Sequence, residues 1–181
     1  VFPRWEERYA GHLAGSRRSA AMLALGAFGE ARELDLLWQL ASRPADADSE
    51  DQARPELSRA ELRDLEASLS SLLTRDPGGF SKLEDSWSGL PEEWLDELIR
   101  AAGKTGDARS IELFAQMFSW VPEQQRLIAA QLPLVGPSDD LDSNGDLAEG
   151  LLTFLREGSK EDVQAAVLAL GQLEDPRAVP D

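Results

Sequence analysis

A chain of 181 residues with 34 acids, 18 bases and a formal net charge of -16 repels nucleic-acid phosphates and anionic lipid, because affinity for either rests on Lys and Arg neutralising phosphate. It has no cysteine, which excludes disulfide frameworks, thiolate metal sites and cysteine nucleophiles, and no run approaching the roughly 18 apolar residues that a membrane span needs. With 42% hydrophobic and 29% charged residues, what remains is an ordinary globular composition, long enough for one domain over 1–181 or for a piece of an elongated repeat protein.

The chain opens with FPRWEERYAGHL, residues 2–13, which reads as the closing helix of an earlier repeat. Val1 is not an initiator methionine and the chain halts partway into a recurring motif, so an excerpt of a longer protein is expected. His12 is the single histidine and has no Ser–Asp constellation around it in the sequence, so a catalytic triad has no support. Residues 1–43 hold six arginines against five acids, and the remainder carries the whole negative excess.

Ser19 to Leu25 reads as a short small-apolar helix, followed by GAFGEARELDLLWQL from Gly26 to Leu40. Residues 44–55, PADADSEDQARP, are acidic and nearly free of large apolar side chains, which predicts a mobile loop. Ser58 and Glu61 form a capping box ahead of Leu62, Leu65, Leu69, Leu72 and Leu73, predicting a helix. Its partner is expected over Phe80 to Trp87.

A second small-apolar helix, Trp94 to Ala102, leads into GKTGDARSIELFAQM, Gly103 to Met117. The GKTG string lacks the spacing and preceding strand of a phosphate loop. In the helix that follows, Ile111, Phe114, Ala115 and Phe118 are expected on the buried face, with Arg109, Glu112 and Gln116 turned outward. Pro122 opens another helix through Gln131. Residues 136–145 read as a polar insertion. Within it, Asp140, Asp142 and Asn144 with Gly145 imitate the start of a calcium loop, but the twelfth position is Leu151, which cannot ligate. Leu147 to Leu155 is the expected mate of the preceding helix.

Ser159 and Asp162 cap a third small-apolar helix with Val163, Ala166, Val167 and Leu170 on one stripe. It runs into GQLEDPRAVPD, Gly171 to Asp181, with Pro176 suited to a first helical position. Gly26 aligns with Gly103 at an offset of 77, bringing Glu30 onto Asp107, Arg32 onto Arg109 and Leu34 onto Ile111. Gly171 aligns with Gly103 at an offset of 68, bringing Asp175 onto Asp107 and Arg177 onto Arg109. Each offset is about two units of a helical repeat. The order predicts a helix ended by a left-handed glycine, an acid capping the next helix, and hairpins that hide their apolar faces only by stacking. The recurrent Arg32, Arg109 and Arg177 are expected to lock repeat to repeat.

Val163 to Pro180, VQAAVLALGQLEDPRAVP, closely resembles the bacterial HEAT-like repeat first described in phycobilisome lyases. The resemblance is specific over 159–181, good over 16–42 and 91–119, and weak elsewhere. It implies an all-α fold, a right-handed α-solenoid of stacked HEAT-like helical hairpins. It implies no single activity, because such repeats serve unrelated tasks.

The function expected is a non-enzymatic protein–protein interaction scaffold or adaptor, with second helices lining a concave acidic face that receives another protein, a basic one by charge. Asp35, Gln39, Glu112 and Gln116 are the outward candidates, with Trp38 as an anchor. Core filling between helices is nevertheless the commoner role for Trp38, and equally for Trp87, Trp94 and Trp120. No catalytic residue, cofactor or metal site, nucleic acid or membrane is expected. The compartment expected is the cytoplasm, and the lack of cysteine suits the periplasm equally. The alternative is a chromophore-lyase-like enzyme or enzyme subunit on the same repeats.

Overall fold

The structure, a computed structural model, describes residues 17–42, 57–136 and 141–173, with backbone alone at 141–143. Every regular element among the described residues is a helix. The expected loop 44–55, the stretch 2–13 with His12, and the third hinge with Asp175, Pro176 and Arg177 lie outside them. The chain divides into two compact units, the first ending at Gly79 and the second starting at Phe80.

In the first unit, α1 covers residues 17–28. A 3-10 turn, Ala31–Glu33, leads into α2, Leu34–Ala41. α3, Arg59–Arg75, starts at the predicted cap: the Glu61 N–H donates to the Ser58 hydroxyl at 3.3 Å, and the Ser58 N–H donates to the Glu61 carboxylate at 2.9 Å. Leu65, Leu69, Leu72 and Leu73 are then completely buried on one helical stripe. Each contributes about 1.5–3 kcal/mol by leaving water.

α4, Gly79–Ser86, belongs to the second unit from Phe80 onward and is closed by a 3-10 turn Trp87–Gly89. α5, Glu92–Thr105, carries Glu92 and Glu93 in its first turn, where the helix dipole favours them. α6 is Ser110–Trp120 and α7 is Gln125–Gln131, followed by a 3-10 turn Leu132–Leu134. α8 is Leu141–Glu157 and α9 is Lys160–Gln172. α5 packs on α7, α7 on α9, and α6 on α8. Alternate helices therefore lie in two rows, α5–α7–α9 and α6–α8, joined by the α5–α6 and α8–α9 hairpins.

The expected left-handed stop at each repeat glycine is corrected. Gly26 lies inside α1, Gly103 inside α5 and Gly171 inside α9. At the first two, glycine supplies room. A Cβ on Gly26 would sit 2.5 Å from the Ser68 Cα of α3, and one on Gly103 would sit 2.7 Å from the Gln131 Cβ of α7. Packed atoms do not tolerate such distances, so α1 meets the α3 backbone at Gly26, and α5 meets the Gln131 side chain at Gly103. The left-handed residue is Gly106, φ 68°, at the C-cap of α5. The acid after it does not cap α6, whose N-cap is Arg109 without a side-chain cap bond; Asp107 instead accepts the Arg109 N–H at 2.9 Å within the turn that leads into the helix.

The arginine lock is corrected too. Arg32 pairs with Glu30 and Glu33 of its own turn and is 73% exposed, and Arg109 pairs with Asp107 of its own turn. In the first unit another arginine holds the hinge. Arg75, at the end of α3, donates to the Gly26 carbonyl at 2.9 Å and also to those of Ala27 and Gly29. Its neighbour Asp76 accepts the Ala31 N–H at 2.8 Å. In the second unit backbone and amide groups hold the row. The Gly136 N–H donates to the Gly106 carbonyl at 2.9 Å, and Gln172 of α9 donates to the Val135 carbonyl at 2.8 Å.

Two expectations about boundaries also change. The polar insertion 136–145 ends by Leu141, where α8 begins, so Asp142, Asn144, Gly145 and Asp146 stand on helical turns rather than on a calcium-type loop. On α9 the buried stripe is Ala166, Ala169 and Leu170, while Val167 is 53% exposed. α9 packs on α7 and α8, and the expected stripe is rotated by part of a turn. No helix among the described residues is long and apolar enough to cross a membrane.

Candidate functional site: the outer face of α4, α6 and α8

The sequence-predicted binding residues divide between the units. In the first, Asp35 and Gln39 are exposed on α2, whereas Trp38 is only 9% exposed and belongs to the core. Its repeat equivalent is Ala115, so the extra bulk fills the interior of the first unit instead of anchoring a surface. In the second, Gln116 is exposed and Glu112 half-buried on α6. α6 is buried more widely than one face, since Leu113 and Met117 join Ile111, Phe114 and Phe118 in the core. Helices on several sides account for this: α5, α7 and α8 all pack on it. Trp87 and Trp94 are core residues as expected, but Trp120, at the end of α6, is 78% exposed.

The structure brings α4 beside this part of α6. The Trp87 indole N–H donates to the Gln116 side-chain oxygen at 3.4 Å. One turn earlier on α6, Glu112 faces Glu84. Burial pushes the Glu84 carboxyl above the ordinary carboxylate range, and the charges of Glu112 and Asp85 push it the same way. None of these three carboxylates has an ion-pair partner among the described residues. The face is therefore electrostatically uncompensated.

A cavity of about 490 Å³ opens between α6 and α8. Its apolar part is Phe118 and Phe154, whose rings meet edge to face with centroids 5.9 Å apart. Gly150 makes this approach feasible, since a Cβ there would lie 2.9 Å from the Phe118 ring. Asp146, Glu149 and Glu157 supply the charge, all exposed and all on α8. Among the described residues no basic side chain lines the cavity. A second cavity, about 350 Å³ between α7 and α9, differs in this respect: Arg126 reaches Glu161 there at 2.6 Å, so its charges are matched.

Asp146, Glu149, Thr153 and Glu157 follow i, i+3, i+7, i+11 spacing, the signature of one helical face. That signal is in the sequence, but it emerges only when the helix starts before Asp146 rather than at Leu147. Glu84 had no such signal, because its neighbour Glu112 is 28 positions away. Among the described residues no group of three His, Cys, Asp or Glu side chains is placed to hold a metal ion.

The family model of the PBS lyase HEAT-like repeat matches residues 163–181, a span that starts on α9. The chain thus carries a HEAT-like repeat there, in an all-helical setting. No curated protein and no solved structure matches the chain.

Proposed function

We propose that the chain is a non-enzymatic protein-interaction scaffold whose helical hairpins stack as a right-handed α-solenoid and whose acidic surface receives a basic segment of a partner protein. The row packing of α5–α7–α9 and α6–α8 supports the stacked form, as does the HEAT-like repeat over 163–181. Helical repeats of this kind commonly mediate protein interactions by presenting an extended face.

One observation carries the acidic surface. Basic side chains of the second unit, such as Arg100 and Arg126, are engaged with acids, whereas Glu84, Asp85 and Glu112 crowd one another without a cation. Like charges held together cost stability, and a partner's Lys or Arg side chains relieve that cost on binding. Gln116, exposed beside them, offers polar contacts, and Asp35 and Gln39 present the same residue types on α2.

The test is the double substitution Glu84→Gln with Glu112→Gln, titrated with an octa-lysine peptide at low salt. Affinity should fall about fivefold, equivalent to roughly 1 kcal/mol of lost pairing. The melting temperature of the free protein should rise, because the repulsion is gone. Unchanged affinity would remove this face from the binding surface.

A further inference from the structure

We infer that the cavity between α6 and α8 is a socket for an arginine side chain of the bound partner, an assignment that rests on the scaffold reading and names the group recognised. Three features converge. The cavity, about 490 Å³, is large enough for a long side chain with adjoining backbone. Its lining includes the half-buried Phe154, packed edge to face with the buried Phe118, and an accessible aromatic ring attracts a cation placed against it. Its polar side is Asp146, Glu149 and Glu157, and no ion pair engages any of the three among the described residues.

Charge complementarity selects the occupant. An anion is repelled by three carboxylates, and a neutral apolar side chain would leave the α8 acids unmatched. A guanidinium fits both surfaces at once. Its planar face lies on an aromatic ring while its edge donates paired hydrogen bonds to carboxylates, a combination that the compact ammonium of lysine does not match. Gly150 lets α8 lie against Phe118, and so brings Phe154 and the acids of α8 to the lining of one cavity. Trp120, exposed one residue past Ser119 of the lining, offers an additional aromatic surface to the peptide that carries the arginine.

The experiment uses the whole chain and three blocked tripeptides, acetyl-Gly-Arg-Gly-amide and its Lys and Gln counterparts, with binding followed by saturation-transfer NMR. The arginine peptide should bind, the lysine peptide about threefold more weakly, and the glutamine peptide below detection. The triple variant Asp146→Asn, Glu149→Gln, Glu157→Gln changes exposed side chains to near-isosteres, so folding is preserved. It should weaken the arginine peptide at least tenfold. Phe154→Leu should weaken it about threefold, with circular dichroism confirming the fold. If lysine binds as well as arginine, the guanidinium assignment is wrong. If the triple variant binds the arginine peptide like the parent while octa-lysine still responds to Glu84→Gln with Glu112→Gln, the socket fails and the scaffold stands. If no basic peptide binds the chain at all, both fail together.

Discussion

Arg18 of α1 and Glu61 of α3 form an ion pair with both side chains only 8% exposed, the Arg18 Nε donating to the carboxylate at 2.7 Å. Glu61 is at the same time the capping-box acid of α3, so one carboxylate ties the start of that helix to α1. Removing one partner of a buried pair leaves the other charge less compensated in a low-dielectric interior. Glu61→Gln or Arg18→Met should therefore destabilise the protein by about 3 kcal/mol in urea unfolding. The double variant, apolar or neutral at both positions, should cost less than the two single changes added together.

The same carboxylate sets an acid limb of stability. Burial works to raise the Glu61 carboxyl, but the Ser58 N–H and hydroxyl and the Arg18 guanidinium outweigh it and hold the group below its ordinary range. Its contribution is then complete above the unfolded carboxylate value of about 4.3 and disappears as pH falls through the lower folded value. Glu84, pushed up by burial and by Glu112 and Asp85, has the opposite sign. It costs stability as pH rises through its folded value and nothing below about 4.3. Melting temperatures across pH 3–7 should show a shallower acid limb for Glu61→Gln. For Glu84→Gln they should show a gain of roughly 0.5 kcal/mol at pH 7 that vanishes in acid.

The three repeat glycines should respond differently to a methyl group. Gly26→Ala drives a Cβ into the Ser68 backbone, and Gly103→Ala drives one into the Gln131 side chain, so each should cost about 1–3 kcal/mol. Among the described residues nothing lies within 4 Å of the Cβ position at Gly171, which is helical and exposed. Gly171→Ala should therefore stabilise by about 0.5–1 kcal/mol, the usual gain of Ala over Gly in a helix. Thermal unfolding of the three variants checks the ordering.

Arg75→Ala removes the donor that serves three hinge carbonyls and should lower stability by about 1–3 kcal/mol. Arg32→Ala and Arg109→Ala remove exposed pairs within single turns and should change it by less than about 0.5 kcal/mol. Recurrence in the sequence had pointed to the second pair, so this comparison separates a repeated letter from a repeated contact.

Helix identity was legible where chemistry is local. Ser58 with Glu61 and Ser159 with Asp162 mark two helix starts in the sequence, and both capping boxes form. What depends on residues far apart was not legible. The hinge clamp joins Arg75 to Gly26 across 49 positions, and a repeat alignment carries no information about which side chain arrives there. The glycines illustrate the same limit: a helix-ending turn and a tight helix crossing favour the same residue, and only the arrangement of α3 and α7 tells them apart. At the candidate site, Glu112 and Gln116 were visible from helical spacing on α6, whereas the sequence offered both a core and an anchor role for Trp38, because bulk alone does not distinguish the two. The α8 acids were hidden by a helix start read too late.

The most direct measurement of the central claim is a titration of the isotope-labelled chain with octa-lysine, followed through its amide chemical shifts. The acidic-scaffold account predicts saturable, salt-sensitive shifts concentrated on α4, α6 and α8, around Glu84, Glu112 and Glu149. Shifts that fall chiefly on α7 and α9, where Arg126 already pairs with Glu161, or uniform drift without saturation, would contradict it.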